Sequence, residues 1–344
     1  MASSLPDGIL LGICNPLLDL QAHVEKKFLD KWGLKENDAI MCDDERIDMF
    51  DELINNYKVN YIPGGATLNA LRVCQWMLNE PNKTIYFGAI GDDTYGTMIS
   101  QKSIEAGVNV QFQVSEGIKT GTCAALINGI HRSLCSHLAA STTFKIDHIL
   151  QENNWELVKK AQYCYYSGFF LTVCPDAAAA VSRELCERNR PVLLNLAAPF
   201  ISQCFWEPLT SAIYYADYVF GNEDEAVAYA KAAGLYTNDL TEIAKYMAGT
   251  DKANDRRQRV VILTRGADPV LVVSQDSVRE VPVDRLPKDK IVDTNAAGDA
   301  FVGGFLSQLV QGKGDIECVK AGNYAASEII QQHGCTFPSY CNFH

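Results

Sequence analysis

The sequence has no apolar run approaching the ~20 residues that a membrane-spanning helix needs, and Met1 to Gly8 carry neither a basic stretch nor a cleavage pattern. A cytoplasmic protein with no membrane partner is expected, with the nucleus as a second compartment. Basic charge is short as well: 30 Lys and Arg stand against 42 Asp and Glu, a formal net charge of −12. That field repels nucleic-acid phosphates, so no nucleic-acid partner is expected. It also repels free phosphate ligands at long range, so any such ligand has to be held by local donors such as helix N-termini and a few arginines. The 6 histidines show no ligand spacing, which argues against metal-assisted hydrolysis. No Gly-x-Gly-x-x-Gly opens a helix after an early strand, which removes support for a dinucleotide-dependent oxidoreductase. Cysteine is abundant, at 12 residues, but no Cys-x-x-Cys pair occurs, and reduced, buried thiols are expected instead of a disulfide framework.

With 344 residues, 47% of them hydrophobic and 21% charged, the chain has the composition of a globular protein able to bury a large core. Short apolar runs rich in β-branched and aromatic residues alternate with helical patterns, which is the signature of a mainly parallel sheet with crossover helices. Candidate strands are Ile9–Ile13, Thr84–Ile90, Tyr163–Phe169, Val192–Leu196, Tyr218–Phe220 and Val260–Thr264, with a helix over Ala66–Leu78. Two stretches break the rhythm, Leu18–Met41 and Val108–Leu138. The second reads as antiparallel pieces, Val110–Val114, Thr122–Ile127 and Ser133–Leu138, joined by Gly and charged turns. A small β-sheet lid built from about 15–63 and 108–140 is therefore expected over a large α/β domain formed by 64–107 and 141–344. The charged loop Asp251–Arg259 reads as a mobile surface segment.

The segment from Ile291 to Phe305, IVDTNAAGDAFVGGF, reads as a short strand entering small residues and then a helix. Small residues let backbone N–H groups approach an anion, and a helix N-terminus adds its dipole. Asp299 at the mouth of such a cradle makes sense as a base for an attacking hydroxyl, with the N–H groups of Ala296, Ala297 and Gly298 facing the transferred group. An Asp capping a tightly packed helix fits the spacing equally well.

This segment resembles the Asp-Thr-x-Gly/Ala-Ala-Gly-Asp signature of the ribokinase-like (PfkB) sugar and nucleoside kinases. The resemblance runs along nearly the whole chain towards the adenosine-phosphorylating members, through Asn15-Pro16-Leu17-Leu18-Asp19, Gly64-Gly65-Ala66-Thr67-Leu68-Asn69, Gly168 to Val173, Ala198-Pro199-Phe200, Gly221 to Glu225 and Gly334 to Pro338. It implies a three-layer αβα domain with a small β lid, and transfer of phosphate from ATP, with Mg²⁺, to the 5′-hydroxyl of adenosine by a monomer active in purine salvage. By resemblance Asp299 is the base and Ala296, Ala297 and Gly298 form the anion hole. Asn222 and Glu225 organise Mg²⁺; read without the resemblance, their spacing is that of a helix capping box. Asn222, Thr264, Gly266, Gly298 and Asn323 face the nucleotide. Asn15, Asp19, Gly64, Gly65 and Asn69 hold the sugar side, Asn295 binds substrate beside the anion hole, and Leu134, Leu138, Phe169 and Phe200 enclose the purine. Arg132, after a turn at the lid's edge, matches the arginine that swings over the phosphates when the lid closes; read without the resemblance it is an exposed, solvated surface residue. Where relatives carry Gln, this chain has Ala39, and Cys135 and Ser136 replace apolar lid residues, which leaves fine purine selectivity open. A kinase for another nucleoside or sugar, and a catalytically silent nucleoside-binding protein, are the alternatives.

Overall fold

The computed structural model describes residues 4–36, 39–129 and 131–343. Its large sheet has 9 strands, in spatial order Val278–Val281, Asp268–Val273, Val260–Arg265, Tyr218–Asn222, Val192–Asn195, Tyr163–Ser167, Leu10–Ile13, Thr84–Gly91 and Val108–Ser115. Helices cover both faces, which explains why Thr84–Gly91 is buried at every residue and reads as one apolar run without alternation. The six expected strands all form, and they pair parallel to one another. Strand order reverses beside Leu10–Ile13: the chain proceeds to Thr84–Gly91 on one side and later to Tyr163–Ser167 on the other. Such a reversal leaves a crevice at the carboxyl ends of the strands.

The second sheet has 5 strands, in order Ala39–Met41, His131–His137, Thr122–Asn128, Leu17–His23 and Asn60–Gly64. The expected antiparallel pair is present as Thr122–Asn128 against His131–His137. Val108–Ser115, expected as a lid strand, instead lies parallel to Thr84–Gly91 at the edge of the large sheet, so the small sheet resumes at Thr122 and not at 108. A half-covered edge strand shows the same partial burial as a solvent-facing antiparallel strand, which is why the pattern misleads.

Two other expectations change. Ile291–Asp293 forms no strand; the N–H groups of Val292 and Asp293 both donate to the Ile330 carbonyl, at 2.8 and 3.1 Å, and Ile291 and Val292 are exposed. The loop Asp251–Arg259 is tied down at both ends. Arg259 is buried and donates to the carbonyls of Ile213, Ala216, Met247, Thr250 and Asp251 at 2.7–3.2 Å. Lys252 and Arg257 both pair with the buried Asp217. Charge density alone suggested a solvated loop, but these charges satisfy buried acceptors.

Helix Ala297–Leu309 packs against helix Ala66–Leu78 through Gly303 and against helix Asp315–Ile329 through Gly304. A Cβ on Gly303 would stand 2.5 Å from the Ala70 carbonyl oxygen, and one on Gly304 2.4 Å from that of Ala321. Only glycine permits so close an approach, and the approach brings the first turns of two of these helices together at the crevice.

Candidate active site

A cavity of about 780 Å³ occupies the crevice between the two sheets. Its floor is made where the parallel strands end: Asn15 just after Leu10–Ile13, then Ser167, Asn195, Asn222 and Thr264 on four successive strands. The small sheet supplies Asp19, Cys123, Arg132, Leu134 and Ser136 as the roof.

One end of the cavity is apolar. Leu134, Leu138, Phe169 and Phe200 line it with Ile40 and Met41, and the Phe169 and Phe200 rings lie 6.1 Å apart at 35°. This is room for a flat, weakly polar group. At the other end, helix Ala297–Leu309 points its N-terminus into the space. Its opening N–H groups have no carbonyl one turn back within the helix, and nothing lies within 4 Å of where a Gly298 side chain would project. Ala296 and Gly298 line the cavity, but Ala297 does not: its N–H donates to the Thr294 carbonyl at 3.1 Å, which corrects its expected place in the anion hole.

Asp19 and Asp299 both line the cavity, Asp299 at the helix end. Asp299, on the first turn of that helix, accepts from Asn69 Nδ2 at 3.0 Å. Burial pushes its carboxyl up to about 7, opposed by the Asn69 hydrogen bond and reinforced by the charges of Asp19 and Glu225. Burial likewise pushes Asp19 up to about 6, with the Arg132 and Arg72 guanidinium groups pulling it down. Gly64 does not line the cavity, yet it has to be glycine, because a Cβ there would stand 2.4 Å from Asp19 Oδ1. Gly65 adopts φ +96°, and its Cβ would meet the Asn15 carbonyl oxygen at 2.4 Å, so this turn excludes side chains on two counts. Asn15 Oδ1 and Asn69 Oδ1 are buried acceptors without a partner, at a cavity wall where hydroxyl donors would complete them.

Asn222 and Glu225 form a full capping box: Asn222 Oδ1 accepts from the Glu225 N–H at 2.9 Å and Glu225 Oε2 accepts from the Asn222 N–H at 3.0 Å. Both line the cavity, and burial lifts the Glu225 carboxyl to about 7. Thr264 and Asn295 line the cavity too. Gly266 sits at the turn after Val260–Arg265, and Asn323 donates to the Pro282 carbonyl at 3.0 Å; neither reaches this cavity.

Arg132 departs from the expectation of an exposed lid arginine. Its side chain is only 9% exposed and forms an ion pair with Asp293, itself 4% exposed. Asp293 also accepts from the Gly334 N–H at 2.8 Å and from Asn295 at 3.0 and 3.1 Å, joining the roof, the helix-opening turn and the C-terminal segment. Neither Asp293 nor the buried Arg72, which donates to the Pro63 carbonyl at 2.8 Å beneath the diglycine turn, was singled out from sequence. The signal for Asp293 was its place as first residue of the 293–299 motif; none marks Arg72. All 12 cysteines are free thiols, and among the described residues no cluster of three or more potential metal ligands occurs. No helix among them is long and apolar enough to cross a membrane.

Comparison with known proteins gives the same picture. The pfkB family carbohydrate kinase model matches residues 26–340. Adenosine kinase 1 of Arabidopsis thaliana is 46% identical over 343 residues, covering 100% of both chains, and the adenosine kinase of Schizosaccharomyces pombe is 39% identical over 332 residues, 96% of each. The crystal structure of Anopheles gambiae adenosine kinase in complex with P1,P4-di(adenosine-5) tetraphosphate matches with a TM-score of 0.91 at 45% identity, covering 98% of this chain and 100% of that one. Schistosoma mansoni adenosine kinase in complex with 2-fluoroadenosine has a TM-score of 0.91 at 34% identity, covering 98% and 99%. With the signature residues gathered around one cavity and full-length relatives at this identity, the chain belongs to the pfkB family of carbohydrate kinases.

Proposed function

We propose that this protein transfers the γ-phosphoryl group of ATP to the 5′-hydroxyl of adenosine, giving AMP and ADP. The observation that carries this reading is the cavity itself, apolar and aromatic at one end and closed at the other by a helix N-terminus bearing Asp299, with Asp19 also lining it. A nucleoside fits that polarity: its base lies against Phe169 and Phe200, its ribose hydroxyls donate to Asp19 and the orphaned Asn15 and Asn69 oxygens, and its 5′-oxygen faces Asp299. A free sugar would leave the apolar end unfilled. The adenosine kinase relatives support adenine as the base.

In the transfer, Asp299 takes the proton from the 5′-hydroxyl as its oxygen bonds to the γ-phosphorus. The bond from that phosphorus to the β,γ-bridging oxygen breaks, and ADP leaves. The Gly298 N–H, in the open first turn of helix Ala297–Leu309, stabilises charge on the transferred group together with the positive end of the helix dipole. Mg²⁺ fits Asn222 and Glu225 only through its water shell. Their polar atoms are committed to each other, and one carboxylate with one amide is a donor set for a cation that keeps its waters. When bound it neutralises phosphate charge. The same reading extends to purine salvage by a cytoplasmic monomer. The test supplies ATP with adenosine or 5′-deoxyadenosine: AMP and ADP should form together from the first, and ADP release unchanged with the second would sink the assignment.

Arg132 is the residue proposed to move, exchanging Asp293 for phosphate oxygens when the small sheet closes. Arg132→Ala should lower kcat by about 10²- to 10³-fold and raise the KM for ATP, with adenosine binding less affected. A change confined to the KM for adenosine would contradict this role.

A further inference from the structure

Resting on the reading of Asp299 as the base, we infer that Asn69 is its positioning residue: the Asn69 amide N–H fixes the Asp299 carboxylate, while the Asn69 carbonyl oxygen is held open for a hydroxyl of the acceptor. The geometry begins with Gly303, which lets helix Ala297–Leu309 approach helix Ala66–Leu78 until a Cβ would meet the Ala70 carbonyl oxygen at 2.5 Å. That approach sets the first turns of the two helices side by side. Asn69, on one of them, is buried and anchored by its own N–H to the Gly65 carbonyl at 2.9 Å. Asp299, on the other, receives Asn69 Nδ2 on Oδ2 at 3.0 Å, which leaves Oδ1 to take the proton. An amide so placed cannot turn over without setting its oxygen against a carboxylate. Its Oδ1 is therefore directed away from Asp299, and it is buried with no partner. One side chain thus touches both the base and the space an acceptor hydroxyl would fill.

The charges around Asp299 make that contact matter. Asp19 and Glu225 both raise its affinity for a proton, and the Asn69 hydrogen bond opposes them. Tyr165 and Cys335 also lie within its field, but burial pushes both upward, Cys335 to about 12, so they are neutral near pH 7. Arg132 is paired with Asp293, and Arg72 is on the Pro63 carbonyl and nearer to Asp19. Asn69 is the group in contact with Asp299 that favours its charged, proton-accepting form.

The experiment is kcat and kcat/KM for adenosine as a function of pH in the wild-type protein, Asn69→Ala and Asn69→Asp. A base works deprotonated, so activity falls as pH drops through its pKa. Loss of the hydrogen bond should move that acid limb upward by about 1 pH unit in Asn69→Ala. In Asn69→Asp, which keeps the shape and places a like charge beside Asp299, it should move further. Above the shifted limb each variant should reach a plateau, lower than the wild-type one in Asn69→Ala because the acceptor for the hydroxyl is lost together with the donor to Asp299. A uniform fall at every pH with the limb unmoved, or a change in adenosine KM alone, would overturn the proposal in favour of a sugar contact only. If Asn69→Ala fails to melt cooperatively, the near-isosteric Asn69→Asp decides on the same criteria. Wild-type protein that makes no AMP from adenosine at any pH would refute the functional reading instead.

Discussion

Asp299→Asn is expected to lose nearly all phosphoryl transfer, about 10²–10⁴-fold in kcat, with the fold intact. The substituted amide has the shape of the carboxylate, and the Asn69 Nδ2 bond can be kept by presenting it with an oxygen. The close packing behind it, at Gly303 and Gly304, is untouched. What disappears, on the proposed mechanism, is the acceptor for the 5′-hydroxyl proton. The wild-type carboxyl is poised for that task, because burial and the neighbouring Asp19 and Glu225 place it at about 7, where it still ionises near neutral pH yet is basic enough to pull on a hydroxyl. The check is kcat at saturating ATP and adenosine beside a melting curve. Turnover within about threefold of wild type would mean that Asp299 is not the base.

The second large effect concerns Asp19 and the ribose. Its carboxylate opens on the cavity, and Gly64 clears the space against it, leaving no room for even a methyl group. Such a carboxylate can accept from two vicinal hydroxyls at once, and leaving it unpaired in a buried site is costly. For the wild-type protein 2′,3′-dideoxyadenosine should therefore be a poorer acceptor than adenosine by roughly 2–4 kcal/mol in kcat/KM. In Asp19→Ala the gap should shrink. The ratio of kcat/KM for the two nucleosides in the two proteins isolates the coupling, as a double-mutant cycle does. An unchanged ratio would reduce Asp19 to a turn carboxylate.

Much of this was legible in the sequence, for identifiable reasons. The parallel strands are buried on both faces and read as continuous apolar runs, and helix Ala66–Leu78 carries its boundaries in the diglycine before it and Asn79 after it. The signature around Asp299 is contiguous, so its residues had to arrive together. Illegible were contacts made by tertiary pairing alone. Arg132 and Asp293 are 161 positions apart, and a lone arginine after a turn looks like surface until a buried carboxylate is brought to it. The loop before Arg259 misled for the same reason, since its charges meet Asp217 and a ring of carbonyl oxygens. Asn222 and Glu225 carried two readings in sequence; the structure contains the capping box outright, and the metal role remains a proposal built around it.

The most direct measurement of the central claim is a competition in which the protein receives ATP with adenosine, inosine, guanosine, ribose and fructose, each scored by phosphorylated product and ADP. The account predicts that adenosine has the highest kcat/KM, with AMP and ADP formed in equal amounts, because its flat base fills the apolar end beside Phe169 and Phe200 while its hydroxyls reach Asp19. Faster phosphorylation of ribose or fructose than of adenosine would contradict it.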